Sequence, residues 1–220
     1  MFATLSYISE IDLSDFSTSK VTDMQSMFYK CTSLKSIKFG NINTSKVTSM
    51  FNMFANCSSL TSIDVSGFQT SNVKDMEGMF YACYSLVSLN LSNFDTKLNE
   101  NIDKMFMDCF NLKLLNLNGF KTSRISYFRF MFSNCSSLTS LDLSSFDTST
   151  AFSTDYMFYG CTSLTSLNLS NFVTNDLNYM KYMFAECRNL SYINFKNLIE
   201  TYDYEFGYFF YEKDNILYSK

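Results

Sequence analysis

The stretch MFANCSSLTSIDVSGFQTSNVKDMEG, residues 53–78, holds the plan of the whole chain. Its pattern, MFxxCxSLxSLxLSxFxTSxVxxM, returns in strict register. Cys31, Cys57, Cys83, Cys109, Cys135, Cys161 and Cys187 stand 26 residues apart with no insertion or deletion. Met-Phe recurs from Met27-Phe28 to Met183-Phe184, and Met1-Phe2 falls in the same register. A fixed period of this length marks a solenoid, whose units bury their apolar faces only against one another. The chain therefore reads as one array of about eight units over residues 1–198, followed by a segment, 199–220, expected to cap the last coil.

Two periods coexist within a unit. Leu60, Ile63 and Val65 form an LxxLxL pattern in which Ser62 and Asp64 point the other way, as in a half-buried strand. Stacked in register, such strands make a parallel sheet. The column Phe16, Ile42, Phe68, Phe94, Phe120, Phe146, Phe172 and Leu198 is expected to turn the chain inward beneath it. Further on, Val73, Met76, Met79, Phe80 and Cys83 are spaced like one stripe of a short helix, with Thr70 or Ser71 as its N-cap. The Thr column continues as Thr18, Thr44, Thr96, Thr122, Thr148 and Thr174. The prediction is an α/β, leucine-rich-repeat-like solenoid of 26-residue strand-plus-short-helix units with a parallel sheet. Where Ile102, Phe128 and Thr154 replace the Met of other units, irregular helical turns are expected.

Composition excludes several functions. A net charge of −4 and scattered Lys and Arg argue against a nucleic-acid partner. No run approaches the ~18 apolar residues of a membrane span, and the start MFATLSYISEIDLSDF lacks the features of a signal peptide. The chain reads as soluble, without membrane insertion. It contains no His, the commonest general base near neutral pH. Zinc sites need closely spaced ligand pairs, so the Cys column is better read as a ladder of buried free thiols, and the Met and aromatic columns as core. Asp12, Asp64 and Asp142 share an outward column but lie roughly 10 Å or more apart at ~4.8 Å per coil, with no catalytic partner set beside them. No metal, no cofactor and no enzymatic activity are expected.

The segments MFYGCTSLTSLNLSNF, residues 157–172, and CSSLTSLDLSSFDTS, residues 135–149, resemble the bacterial surface protein 26-residue repeat of the BspA-like leucine-rich repeat group. The resemblance spans residues 1–198. It implies a leucine-rich-repeat-like fold, a cell-surface or extracellular setting and a link to adhesion, with no ligand common to the repeat. The export signal or anchor usual in that group is not visible in this sequence.

The candidate binding surface is the outward face of the strands. One column reads Asp12, Lys38, Asp64, Asn90, Asn116, Asp142, Asn168 and Asn194; its neighbour reads Glu10, Ser36, Ser62, Ser88, Leu114, Ser140, Ser166 and Tyr192. Polar residues are the default on a half-exposed sheet, yet solenoids use such surfaces for partners, here a protein or a glycan. Leu114 and Tyr192 break the small polar row and are the expected anchors. A structural spacer and a polysaccharide-active enzyme on a β-helix are the competing readings. Because Met1-Phe2 is already in register, end-to-end self-association is also expected.

Overall fold

The computed structural model describes residues 1–173 and 178–195, together with the backbone of 217–219. Coils are numbered here from each Met-Phe pair, so that coil 1 is residues 1–26 and coil 8 begins at Met183. The short strands are β1 (Glu10–Asp12), β2 (Ser36–Lys38), β3 (Ser88–Asn90), β4 (Leu114–Asn116), β5 (Ser166–Asn168), β6 (Tyr192–Asn194) and β7 (Leu217–Ser219). All pairings are parallel: β1 with β2, β3 with β4, and β5 with β6 with β7. The first three are offset by one repeat, but Tyr192 faces Leu217, one residue short of it. Of the expected cap, only this strand lies within the described residues; Thr174 and Leu198 lie outside them.

The expected helix is not formed: among the described residues there is none. Hydrogen-bond routing explains why. The N–H groups of Met24, Ser26, Phe28 and Lys30 donate to the carbonyls of Ser49, Phe51, Met53 and Ala55 in the next coil, at 2.8–3.0 Å. Those of Met27, Tyr29 and Cys31 donate three residues back, to Met24, Ser26 and Phe28. A helix would have used every N–H within its own coil. Ser26 and Lys30 also adopt left-handed φ values of 53° and 59°, as do Asn52, Asn56, Lys104 and Asp108 in later coils. Such a residue costs of the order of 1 kcal/mol outside glycine and ends any helix, so the bonds between coils must offset it. Successive three-residue turns imitate the spacing of a helical stripe, which is why periodicity alone misled.

The threonines do not cap helices either. Thr44 Oγ1 donates to the Gln69 carbonyl at 2.8 Å and accepts from the Gln69 N–H at 2.7 Å, which ties one coil to the next. Thr70, Thr96, Thr122 and Thr148 repeat the pair with Asp95, Lys121, Asp147 and Val173. A buried hydroxyl is thus satisfied on both sides, the condition for keeping it in a core.

Stacked phenylalanines run through the centre. The rings of Phe2, Phe28, Phe54, Phe80, Phe106, Phe132, Phe158 and Phe184 lie nearly parallel, with centroids 5.4–5.9 Å apart. The inward column is buried from Ile42 to Phe172, whereas Phe16 in the first coil is exposed. Ile102, Phe128 and Thr154 are fully buried, and parallel bridges continue past them without a break from Asp23 through Ser49, Asp75, Asn101, Tyr127 and Ser153 to Tyr179. The irregularity expected there is absent, because backbone bonds hold this side and the column has only to fill space.

The sheet, by contrast, is not continuous. Segments 62–64 and 140–142, in coils 3 and 6, form no strand. At these junctions Ile37, Ile63, Leu115 and Leu141 are only partly buried, whereas Ile11, Leu89, Leu167 and Ile193 are buried. The strand side therefore opens twice while the bridge side stays closed.

Candidate recognition surface

The structure places Glu10, Asp12, Lys38, Asp64, Asn90, Leu114, Asn116, Asp142, Asn168, Tyr192 and Asn194 along the strand side, and most of them are exposed. Much of the Asp/Asn column also has a local role. The side-chain oxygens of Asp12, Asp64, Asn90, Asn116, Asp142 and Asn168 each accept the backbone N–H two residues on, at 2.8–3.1 Å. These are Asx-turns that end the strand, a geometry that short acceptor side chains favour. Lys38 has no acceptor to offer, and coil 2 turns instead on Gly40, at a left-handed φ of 58°. A Cβ there would stand 2.5 Å from Ser14 Cα. Lys38 Nζ reaches across to Asp12 Oδ2 at 3.1 Å.

The Ser14 hydroxyl and N–H, and then Lys38, hold the Asp12 carboxyl down to about 2. Serine contacts also lower Asp64 and Asp142. A carboxyl depressed in the folded state contributes stability above its unfolded value, near 4, and that contribution is lost as pH falls through the folded value. Carbon-detected titration should therefore show Asp12 still ionised at pH 3, while Lys38→Ala should move its midpoint upward.

Apolar surface enters this polar face at Leu114 and where coil 2 parts from coil 3. Leu114 is 69% exposed in a column otherwise made mostly of Ser. Beside it a depression of about 410 Å³ is lined by Ser88, Leu89, Asn90, Leu114, Leu115 and Asn116. A second, of about 340 Å³, lies where coil 2 parts from coil 3, against Ile37, Lys38, Phe39 and Asp64. Tyr192 is 43% exposed at the far end, in β6. Leu114 and Tyr192 are thus both on the surface but in different sheets, three coils apart.

The cysteines lie on no such surface. All seven are buried and free, and each Sγ donates to the carbonyl of the Phe 29 residues earlier, as Cys57 does to Phe28 at 3.2 Å. Burial pushes the thiols of Cys31, Cys57, Cys83, Cys109, Cys135 and Cys161 up, Cys109 to about 12. Because the thiolate is the reactive form, none should react with a thiol reagent in native protein, and all seven should react in denaturant. Labelling of any of the seven thiols under native conditions would contradict this packing. Among the described residues no group of three Cys, Asp or Glu side chains is placed to hold a metal ion.

A second surface lies outside the repeated columns. Tyr127, Phe152 and Tyr179 form a chain of edge-on rings on the bridge side, each about 40% exposed. Phe130, Tyr156 and Tyr182 stack at 4.7 and 5.0 Å beside them. The signal was present in the variable columns, where Asp23, Ser49 and Asp75 give way to Tyr127 and Tyr179, and Ser26 and Asn52 to Phe130, Tyr156 and Tyr182.

Stacked 26-residue coils with short parallel strands define a repeat solenoid. The chain belongs to the family described as Mycoplasma protein of unknown function, DUF285, whose model matches residues 1–115 and again 87–200. It is similar to a leucine-rich repeat protein of T. pallidum, at 20% identity over 62% of this chain and 68% of that one, with a TM-score of 0.39. A leucine-rich repeat protein of Bacteroides ovatus matches at 20% identity over 86% of this chain and 63% of its own length, with a TM-score of 0.35. The pneumococcal vaccine antigen PcpA matches at 17% identity over 96% and 62%, with a TM-score of 0.37. No curated protein matches significantly.

Proposed function

We propose that this chain is a non-catalytic recognition module that engages a protein or glycan partner through its strand face. The observation that carries the reading is Leu114, exposed among small polar residues and bordering a depression on the β3–β4 face. An isolated apolar side chain in such a setting is the kind that dominates an interface. The missing His and the use of Asp12, Asp64 and Asp142 as turn acceptors speak for binding over hydrolysis. A cell-surface location is part of the proposal and rests on the likeness of the repeat to surface-protein repeats. The segment 199–220 is taken as a cap, supported by the pairing of β7 with β6.

The test is a screen of the full chain against arrayed extracellular proteins and glycans, repeated with Leu114→Ser and Tyr192→Ser. Asn116 is left in place because it holds a turn. Leu114→Ser should weaken the partner found by about tenfold without unfolding the chain. A partner lost only through bridge-side substitutions would defeat the reading. The spacer alternative is favoured by the Asx-turns, which account for most of the Asp/Asn column without any ligand. It predicts no partner, with end-to-end association visible by sedimentation.

A further inference from the structure

A depression of about 450 Å³ lies away from the strand face, across coils 5 to 8, against Phe110, Asn134, Ser136, Tyr159, Thr162 and Glu186. Sites for small ligands usually enclose ~300–1,000 Å³. Its floor is shaped by a glycine. Gly160 adopts φ 69°, and a Cβ there would collide with the Asn134 side chain, which is fixed by donating to Asp108 Oδ1 at 2.8 Å.

Phe110 is the one large apolar wall. It stacks one face on Tyr84, with centroids 5.2 Å apart and planes 16° apart, and it is 40% exposed. In the next coil the same column holds Ser136, whose hydroxyl donates to the Phe110 carbonyl at 3.2 Å. A serine is too small to continue the stack, so the second ring face opens on the depression. The remaining walls are amide, hydroxyl and phenol groups. Glu186 is paired with Arg188 at 2.8 Å, which leaves the rim rich in donors and acceptors with little net charge.

We infer that this depression binds a neutral saccharide, one pyranose ring lying on the open face of Phe110 and its hydroxyls meeting Asn134, Thr162, Tyr159 and the Glu186–Arg188 pair. The chemistry matches. A pyranose has one face of weakly positive C–H groups, suited to the negative face of an aromatic ring, and a rim of hydroxyls that must keep hydrogen bonds when they leave water. A peptide would want deeper apolar walls, and an anion an unpaired cation. The site is independent of the strand-face proposal.

The test is a glycan array of neutral hexose and N-acetylhexosamine oligomers probed with the full chain, followed by calorimetry on the strongest binder. Ser136→Tyr is the informative variant, because it would extend the Tyr84–Phe110 stack and cover the open face without removing any core group. Ser136→Tyr and Phe110→Ala should each weaken binding by about tenfold or more. Should Phe110→Ala fail to fold, Ser136→Tyr with an unchanged thermal midpoint decides. Binding to no oligomer, or binding indifferent to both Ser136→Tyr and Phe110→Ala, would each overturn the assignment.

Discussion

Replacing Arg129 with alanine is expected to lower the unfolding free energy by about 3 kcal/mol, the lower end of the range for breaking a buried ion pair. The carboxylate of Asp103 is 1% exposed, yet the guanidinium that balances it is 47% exposed, so water can replace part of what is lost. Arg129 meets Asp103 three times: Nη2 to Oδ2 at 2.6 Å, Nε to Oδ2 at 2.7 Å and the backbone N–H to Oδ1 at 2.6 Å. Only the last survives the substitution. Burial already pushes the Asp103 carboxyl up, against the pull of Arg129, and losing the guanidinium pushes it further. A carboxyl whose folded value lies above its unfolded value destabilises when ionised. The deficit of Arg129→Ala should therefore shrink as pH falls through the raised value. Adding Asp103→Asn should restore much of the stability at neutral pH, since an amide oxygen can accept the backbone N–H of position 129 without a buried charge. Denaturant unfolding of the single and double variants checks both statements; a double variant no more stable than Arg129→Ala would contradict them.

The opposite sign is expected at Asn99. Its column reads Val21, Val47, Val73, Asn99, Ile125 and Ala151, and the Asn99 side chain is fully buried with neither amide oxygen nor nitrogen hydrogen-bonded. An unsatisfied buried polar group costs about 1–3 kcal/mol, and valine matches the neighbouring coil in shape. Asn99→Val should stabilise the chain by about 1–2 kcal/mol, the gain left after some crowding by the added volume. For a chain of this size that is a rise of roughly 2–8 °C in the thermal midpoint. An unchanged or lower midpoint would mean that the amide is served by a buried partner, such as an enclosed water.

Both positions show how the fold could be read from the chain and where such reading stops. Columns defined by side-chain volume were legible, because Phe28, Cys57 or Leu86 must meet its own copy one coil away whatever the backbone does between. The alternation within Glu10-Ile11-Asp12 likewise shows directly as exposed, buried, exposed. Backbone routing was not legible. Val73, Met76 and Met79 have the same spacing in a helix as in linked three-residue turns, and only the left-handed residues Asn52, Asn56, Gly78 and Ala82 separate the two. Asparagine can adopt that conformation, but alanine in it is no signal a reader would trust. The candidate site was half visible. Leu114 and Tyr192 stood out as breaks in a polar column, whereas the openings beside coils 3 and 6 arise where neighbouring strands separate, and no residue type announces that. The Phe110 depression depends on a serine following an aromatic residue one coil later, which becomes visible only when variable columns are read down the stack.

Which faces this protein can offer a partner depends on its coils being strand and turn, and far-UV circular dichroism of the full chain tests that most directly. A spectrum without the double minimum of α-helix is expected. A helical signal matching one short helix per coil would contradict it, because the N–H groups that join each coil to the next would then be spent within their own.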